Sequence, residues 1–371
     1  MNASRTLQVS RHSRSRARGV TLIELLVGLT ISSLIIVGTV FVYSQSRTTY
    51  ALNDRQARLQ ENGRYALSLM EPDLQLAGYF GFSNNPADLR YMDGTNQYPA
   101  SQLEQSDAKL AAAPAAAHAC GNNFAIDLIA TVQGTNGVYT GIACAANKDY
   151  QLGTDTLTIR RASTNSVPVS KEKVQLYVNA LKRSNQFIFV STDGTAPGTV
   201  DATRQIRDLI VHLYYVDQQS DGSTTTPSLR RKTLSTSGGA PAMLDEEILP
   251  GVEDMQVQFG VDTGDHDGTV GIDVDEDNNK IPDNPNGVVS QWVDPDNVIL
   301  KSPLVDAAGR QAQVVAVRVW LRIRTDDIEP GFVDTKEYKY GPVTYTPSGA
   351  AATFRRVIVS RTIFLRNART L

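Results

Sequence analysis

One apolar segment constrains the fold of this chain more than any other feature. From Leu25 to Ser46 there are 22 residues without a charged side chain, and most of them are Leu, Ile, Val, Gly or Thr. At about 1.5 Å per residue, a helix of this length crosses the apolar part of a bilayer. The sequence therefore predicts a membrane-spanning helix, which we assign to residues 20–46.

The residues before this segment predict its orientation. Residues 1–18 contain five arginines and no acidic residue. Basic residues beside a membrane helix favour its cytoplasmic end, so we expect a cytoplasmic N-terminus, with the rest of the chain outside. A plain signal anchor would share this pattern. An ordinary secretory signal would be shorter, with a small-residue cleavage site after the apolar run.

The remainder of the chain is acidic. Subtracting the five leader arginines from 36 basic residues leaves 31, against 39 acidic residues. This balance argues against general binding to a nucleic-acid backbone. The basic cluster at Arg230, Arg231 and Lys232 is the candidate site for DNA capture. Three basic residues in an otherwise acidic part of the chain are weak evidence for DNA binding. Nucleic acid is therefore not an expected partner.

The helical pattern continues beyond the membrane segment. Apolar residues recur mostly three, four or seven positions apart, among polar ones, which is typical of a helix with one buried face. We expect this amphipathic half to cover residues 47–79, with Gly63 and Pro72 loosening or bending it. The apolar positions are Leu52, Leu59, Leu67, Met70, Leu74 and Ala77.

From residue 80 onward the pattern is that of β-strands. The clearest example alternates Val315, Val317, Val319, Leu321 and Ile323 with residues of the other face, Arg318, Trp320, Arg322 and Arg324. Such alternation indicates a half-buried antiparallel strand. The predicted fold class is α+β, a long N-terminal helix packed on a large antiparallel β-rich head at 80–371. Loop insertions are expected near 218–243 and 262–303.

Nothing in the sequence indicates an enzyme. The four histidines lie far apart, and the zinc-protease, nucleophile-elbow and phosphate-loop motifs are absent. We therefore expect no catalysis and no required cofactor.

Two cysteines, Cys120 and Cys144, favour a disulfide if the head lies outside the cytoplasm. Closing a loop of about 25 residues would stabilise the head by roughly 3–4 kcal/mol. Two unpaired thiols are the alternative.

An acidic stretch near residue 275 is the candidate cation site. Its oxygen-bearing side chains alternate along the chain, and one backbone carbonyl falls between them, as in loops that bind calcium. The alternative is a solvated acidic loop that binds nothing, since Lys280 replaces the usual glycine and no final glutamate follows. The candidate ligands are Asp273, Asp275, Asp277, Asn279, Ile281 and Asp283.

The N-terminal segment "RGVTLIELLVGLTIS" closely resembles the class III leader of type IV prepilins and pseudopilins. A basic leader, Gly19, an apolar run and Glu24 all agree with that pattern. The resemblance implies that prepilin peptidase cuts between Gly19 and Val20, removes residues 1–19 as a leader peptide, and methylates the new amine of Val20.

Glu24 needs an explanation because an ionised acid deep in a bilayer costs roughly 3 kcal/mol or more. Cleavage would create a positive amine on Val20, one helical turn away. In a filament, the amine of a neighbouring subunit could pair with Glu24 and set the register of assembly. The alternative is that Glu24 only complements the helix dipole, worth about 0.3–1 kcal/mol.

Four further segments resemble the PilW family of minor pilins. They are "ENGRYALSLMEPDLQLAGYFG", "GTDTLTIRRA", "LPGVEDMQVQFGVD" and "SRTIFLRN". The resemblance implies a low-abundance subunit of a type IV pilus that primes assembly at the tip and supports adhesion, twitching motility or DNA uptake. A minor pseudopilin of type II secretion is the alternative.

The same resemblance implies partners and a location. The partners would be other minor pilins, the major pilin, a tip adhesin and prepilin peptidase. The chain would cross the inner membrane once before assembly and then enter an extracellular pilus, at its tip.

Overall fold

The fold is described from a computed structural model of the chain. The residues it describes are 19–83, 89–93, 96–99, 127–128, 130–139, 144, 146–171, 173–182, 185–191, 193–237, 240–263, 272–274, 280–282, 287–300 and 312–368. The chain divides into two compact units, Met1–Ala57 and Arg58–Leu371.

A single helix, α1, runs from Leu22 to Gln75 and confirms the predicted long N-terminal helix. Its first half is exposed along its length. Within the second unit, the helix buries one face at three- and four-residue spacing, as the sequence pattern predicts. The buried residues are Leu59, Gly63, Ala66, Leu67, Met70, Asp73 and Leu74.

Gly63 has a packing role that the sequence pattern did not indicate. A Cβ atom at this position would lie 2.7 Å from Cγ2 of Val359 and 2.9 Å from Cδ1 of Ile323. Because these distances are too short for carbon atoms, only glycine lets α1 approach these side chains so closely. The helix is continuous through Gly63 and Pro72 and ends at Gln75.

The β-strands make up most of the head. Their bounds are β1 Leu89–Asp93, β2 Asn96–Pro99, β3 Val132–Thr135, β4 Thr156–Ala162, β5 Val174–Asn179, β6 Gln186–Val190, β7 Arg204–Asp217, β8 Ser228–Ser237, β9 Ala240–Pro250, β10 Val252–Asp262, β11 Ile272–Val274, β12 Lys280–Pro282, β13 Gln291–Val293, β14 Gln313–Arg324, β15 Tyr338–Tyr340, β16 Val343–Tyr345 and β17 Arg356–Phe364. Short 3₁₀ helices cover Val298–Leu300 and Gly349–Thr353.

These strands form two larger sheets. The nine-stranded sheet has the order β2-β1-β6-β5-β7-β4-β3, with β8 paired to β7 and β9 paired to β8. The four-stranded sheet has the order β13-β10-β14-β17 and is antiparallel. Two hairpins, β11-β12 and β15-β16, stand apart. Strand β14 carries the predicted alternation, and among the described pairs only β1 and β6 run parallel.

The largest apolar core joins both sheets to the helix. Side chains of α1, including Leu67, Met70 and Leu74, share one buried cluster with residues of β4, β10, β14 and β17. A second cluster lies around Phe80 and the strands β5 to β7. The buried half of α1 is therefore part of the main core of the head.

The predicted loop insertion at residues 218–243 is corrected by the structure. Residues 228–237 form β8, which pairs with both β7 and β9. Polar Ser and Thr residues suggested a loop, but acidic residues of β9 lie opposite the basic residues of β8 and compensate their charge. Of the predicted insertion at 262–303, the described residues include the β11-β12 hairpin and β13.

Candidate functional site

The segment that the sequence marks for processing and assembly precedes α1 directly. Gly19, Val20 and Thr21 lie outside regular structure, and all three are exposed. Val20 keeps 72% of its surface accessible. The peptide between Gly19 and Val20 therefore lies on open backbone that a peptidase could reach.

Thr21 and Glu24 form a capping box at the start of α1. The amide of Thr21 donates to Oε2 of Glu24 at 3.0 Å, and the amide of Glu24 donates to Oγ1 of Thr21 at 3.2 Å. Two helix-end amides are thereby satisfied by side chains, which is the function of this motif. The Thr-x-x-Glu spacing that signals it is visible in the sequence, and our interpretation of Glu24 overlooked it.

The first half of α1 presents a continuous apolar surface. Its large hydrophobic side chains from Leu22 to Tyr43 are mostly more than half exposed. The helix is long and apolar enough to cross a membrane. Exposed apolar surface of this extent requires lipid or protein contact, since in water it would associate.

A second carboxylate of α1, Asp73, lies at the centre of a buried polar cluster in the head. Its Oδ1 accepts from Nη2 of Arg161 at 2.8 Å. Its Oδ2 is 2.5 Å from Nδ1 of His212 and accepts from the hydroxyl of Tyr214 at 2.8 Å. Arg161 belongs to β4, and the other two residues belong to β7. This cluster, which we call the Asp73 cluster, fixes the end of the helix to the nine-stranded sheet.

The electrostatics of the Asp73 cluster favour a charged carboxylate. Burial alone raises the pKa of Asp73, but hydrogen bonds from His212, Arg161 and Tyr214 outweigh burial and hold the pKa below its usual range. Burial and the charge of Asp73 raise the pKa of Tyr214, so its hydroxyl stays a donor. Nothing in the sequence indicated these partners of Asp73, because they lie 88 or more positions away.

The basic cluster considered for DNA capture is neutralised by acidic residues. Nε of Arg230 lies 2.5 Å from Asp245, and Nζ of Lys232 lies 2.7 Å from the same carboxylate. Arg231 pairs with Glu246 at 2.6 Å. Arg230 and Lys232 are also buried, so neither is presented to a phosphate backbone.

The candidate calcium ligands lie mostly outside the described residues. Asp273 and Ile281 are paired in the β11-β12 hairpin, whereas Asp275, Asp277, Asn279 and Asp283 are not described. Calcium binding therefore stays a prediction. Among the described residues, no group of His, Cys, Asp and Glu could hold a metal ion.

The predicted disulfide also remains a prediction, because Cys120 lies outside the described part of the chain. Cys144 packs against the second apolar core, and its carbonyl accepts a hydrogen bond from Tyr139 at 2.8 Å.

Comparisons with known proteins agree with the sequence patterns. The family described as Type IV Pilus-assembly protein W matches residues 213–367, from within β7 to beyond β17. The prokaryotic N-terminal methylation motif matches residues 14–40, which include Gly19, Val20 and Glu24. No curated protein matches the chain.

A solved structure, described as Type IV-like pilin TTHA1219 from Thermus thermophilus, is similar at 12% sequence identity and a TM-score of 0.23. The match covers 58% of this chain and 79% of that one.

Proposed function

We propose that this chain, a minor pilin of the type IV pilus by its family matches at residues 213–367 and 14–40, belongs to the complex that primes pilus assembly and remains at the tip. The observation that carries this proposal is the size of the head, residues 58–371, behind a single helix. A head this large would be difficult to repeat along a thin filament, whereas a tip has room for it.

Processing is the first step of the proposal. Prepilin peptidase would cut between Gly19 and Val20 and methylate Val20, on backbone that lies outside α1 and is exposed. The amide of Thr21 remains a peptide amide after this cut, so the capping box can persist in the mature chain. Replacing Gly19→Leu should block cleavage, and the precursor should keep its full mass in membranes.

Assembly is the second step. Glu24 would pair with the methylated amine of a neighbouring subunit, while the exposed apolar half of α1 packs among other pilin helices. An unpaired acid in this environment would disfavour wrong registers. The type II secretion alternative receives no support, since both family matches are explained by the pilus.

The remaining expectations concern location and the head. We place the N-terminus in the cytoplasm, because the leader is arginine-rich, and the head outside, first in the periplasm and then on the pilus. There a Cys120–Cys144 disulfide would form, and the acidic stretch at residues 273–283 would bind calcium. The head would contact other minor pilins and a tip adhesin.

Co-purification tests the tip complex directly. The mature full-length chain, extracted in mild detergent, should bring down other minor pilins of the same pilus system in near-equal amounts. A matched variant, Glu24→Ala, should insert normally and recover less of them. Recovery of the major pilin alone, in the large excess expected of a shaft subunit, would contradict a place at the tip.

A further inference from the structure

Both tryptophans of the chain lie on one face of the four-stranded sheet. Trp292 comes from β13 and Trp320 from β14, on the face opposite to the one that carries Val319 and Ile323. Arg318 lies between them, with its guanidinium carbon 3.9 Å from the ring centroid of Trp292 and 5.7 Å from that of Trp320. We call these three half-buried residues the tryptophan–arginine patch.

Two glycines make room for the indole rings of this patch. A Cβ at Gly260 would lie 3.1 Å from the ring of Trp292 and 2.8 Å from Val289. Gly341, with φ +52°, passes close to Trp320, where a Cβ would lie 3.4 Å from its ring. Because neither position has a side chain, the rings can lie against the backbone, and the position of Arg318 between them is built into the fold.

Arg318 differs from the other arginines on this face. Arg322 and Arg356 both contact the carboxylate of Glu253, at 3.1 Å and 2.7 Å. The described residues give Arg318 no carboxylate, and its one side-chain hydrogen bond runs from Nε to the hydroxyl of Thr362 at 3.0 Å. Among the described residues, the two terminal nitrogens of its guanidinium therefore remain as donors in a fixed plane.

On the same face of the sheet, the guanidinium of Arg322 is covered by another part of the chain. Arg322 is stacked by Tyr345 from the β15-β16 hairpin, at 3.6 Å to the ring centroid. Beside the patch, by contrast, Phe364 at the end of β17 is 60% exposed. Within the described chain, the half of the face around Arg322 is thus covered by the β15-β16 hairpin. The half around Arg318 leaves apolar rings and one edge of the guanidinium uncovered.

We propose that the tryptophan–arginine patch binds a carboxylate-bearing peptide segment of another protein. The planar guanidinium matches a carboxylate through two parallel hydrogen bonds, and the rings with Phe364 provide apolar contact for the rest of the peptide. A nucleic acid would favour several clustered free cations, whereas Arg322 and Arg356 are already paired. That the protein is another pilus subunit rests on the proposed function; recognition of the carboxylate does not.

Intrinsic fluorescence tests the proposal without a label, since the chain has 2 tryptophans and both lie in the patch. The mature full-length chain in detergent is titrated with poly-L-glutamate under excitation selective for tryptophan. We expect a saturable, salt-sensitive change in emission. Arg318→Gln should weaken binding by about tenfold or more, because it removes a charged hydrogen-bond donor. Arg318→Lys should also weaken it, because an ammonium lacks the planar fork.

Arg361→Gln is the matched control, because Arg361 also lies in the four-stranded sheet, pairs with Glu71 and is 43% exposed. This variant should bind like the wild type. Equal affinity of Arg318→Gln and wild type, or an equal response to neutral dextran, would overturn the proposal. An unchanged wild-type emission would overturn it too. None of these results depends on pilus assembly, so the proposed function is tested separately.

Discussion

Two carboxylates on the same helix have different environments. Glu24 lies at the exposed start of α1 and is bound by Thr21, within one turn. Asp73 lies near the other end, buried in the head, and is bound by residues of two strands. Glu24 caps the start of the helix and stays exposed, so another subunit can still reach it. The described contacts of Asp73 all lie within the head.

This difference divides the helix by function. Between Leu25 and Ser46 the exposed half carries no charged side chain on any side, which suits contacts between subunits and with lipid. The buried half has a narrow apolar face, a close-contact glycine and one buried acid, which suit a fixed place in one head. A variant in the buried half should therefore change the stability of the head, and a variant in the exposed half should change assembly.

The largest effect is expected for Asp73→Ala. Removing this acid leaves the half-buried Arg161 and the buried His212 without their carboxylate, and breaking a buried ion pair costs about 3–5 kcal/mol. We expect the free energy of unfolding to fall by that amount in denaturant titrations of the full-length chain in detergent, followed by tryptophan emission. Less of this subunit would then be incorporated into pili, because less of it would have a folded head.

The matched control is Glu337→Ala. Glu337 pairs with Lys339 at 2.6 Å, but both side chains are exposed, at 51% and 73%. Exposed pairs contribute at most about 1 kcal/mol. A loss at Asp73 no greater than at Glu337 would show that the Asp73 cluster does not stabilise the head.

The same comparison shows what the sequence could and could not predict. The long helix, its buried face and the alternation of β14 followed from periodicity, because periodicity reflects burial within one element. The capping box was also readable, since its two residues are three positions apart. The Asp73 cluster was not, because its partners are distant in sequence. The β8-β9 hairpin was missed because its charges are compensated across strands, which no local composition reveals.

A second prediction concerns how the stability of the head depends on pH. The pKa of Asp73 is lower in the folded head than its ordinary value, so the unfolded chain binds the proton more readily. The stabilisation from Asp73 is therefore present above about pH 4 and is lost as the pH falls below that value. The loss extends from about pH 4 down to the much lower pKa of Asp73 in the folded head, so unfolding measured from pH 6 to pH 2 should show its beginning, and Asp73→Asn should remove part of the slope. An identical slope in the variant would contradict the assignment.

A smaller effect is expected for Gly63→Ala. The new Cβ would meet Val359 and Ile323 at less than 3.0 Å, and overpacking of this kind costs about 1–3 kcal/mol. Better helix propensity returns up to about 1 kcal/mol, so a net loss should remain in the same unfolding assay. Gly38→Ala is the control, because nothing lies within 4 Å of its Cβ position. Greater stability of the Gly63 variant would refute the close-packing role.

The smallest effect on stability is expected at Glu24, where the main effect should be on assembly. Glu24→Gln keeps an acceptor for the amide of Thr21, so the capping box should persist, with a change below about 1 kcal/mol. It removes the charge, however. If Glu24 pairs with a neighbour's amine, Glu24→Gln should lower the amount of this subunit in sheared pili as much as Glu24→Ala does.

Thr21→Val removes the hydroxyl but keeps the charge, and should assemble normally. Normal assembly of Glu24→Gln, with failure of Glu24→Ala and Thr21→Val, would instead assign Glu24 to the helix cap alone.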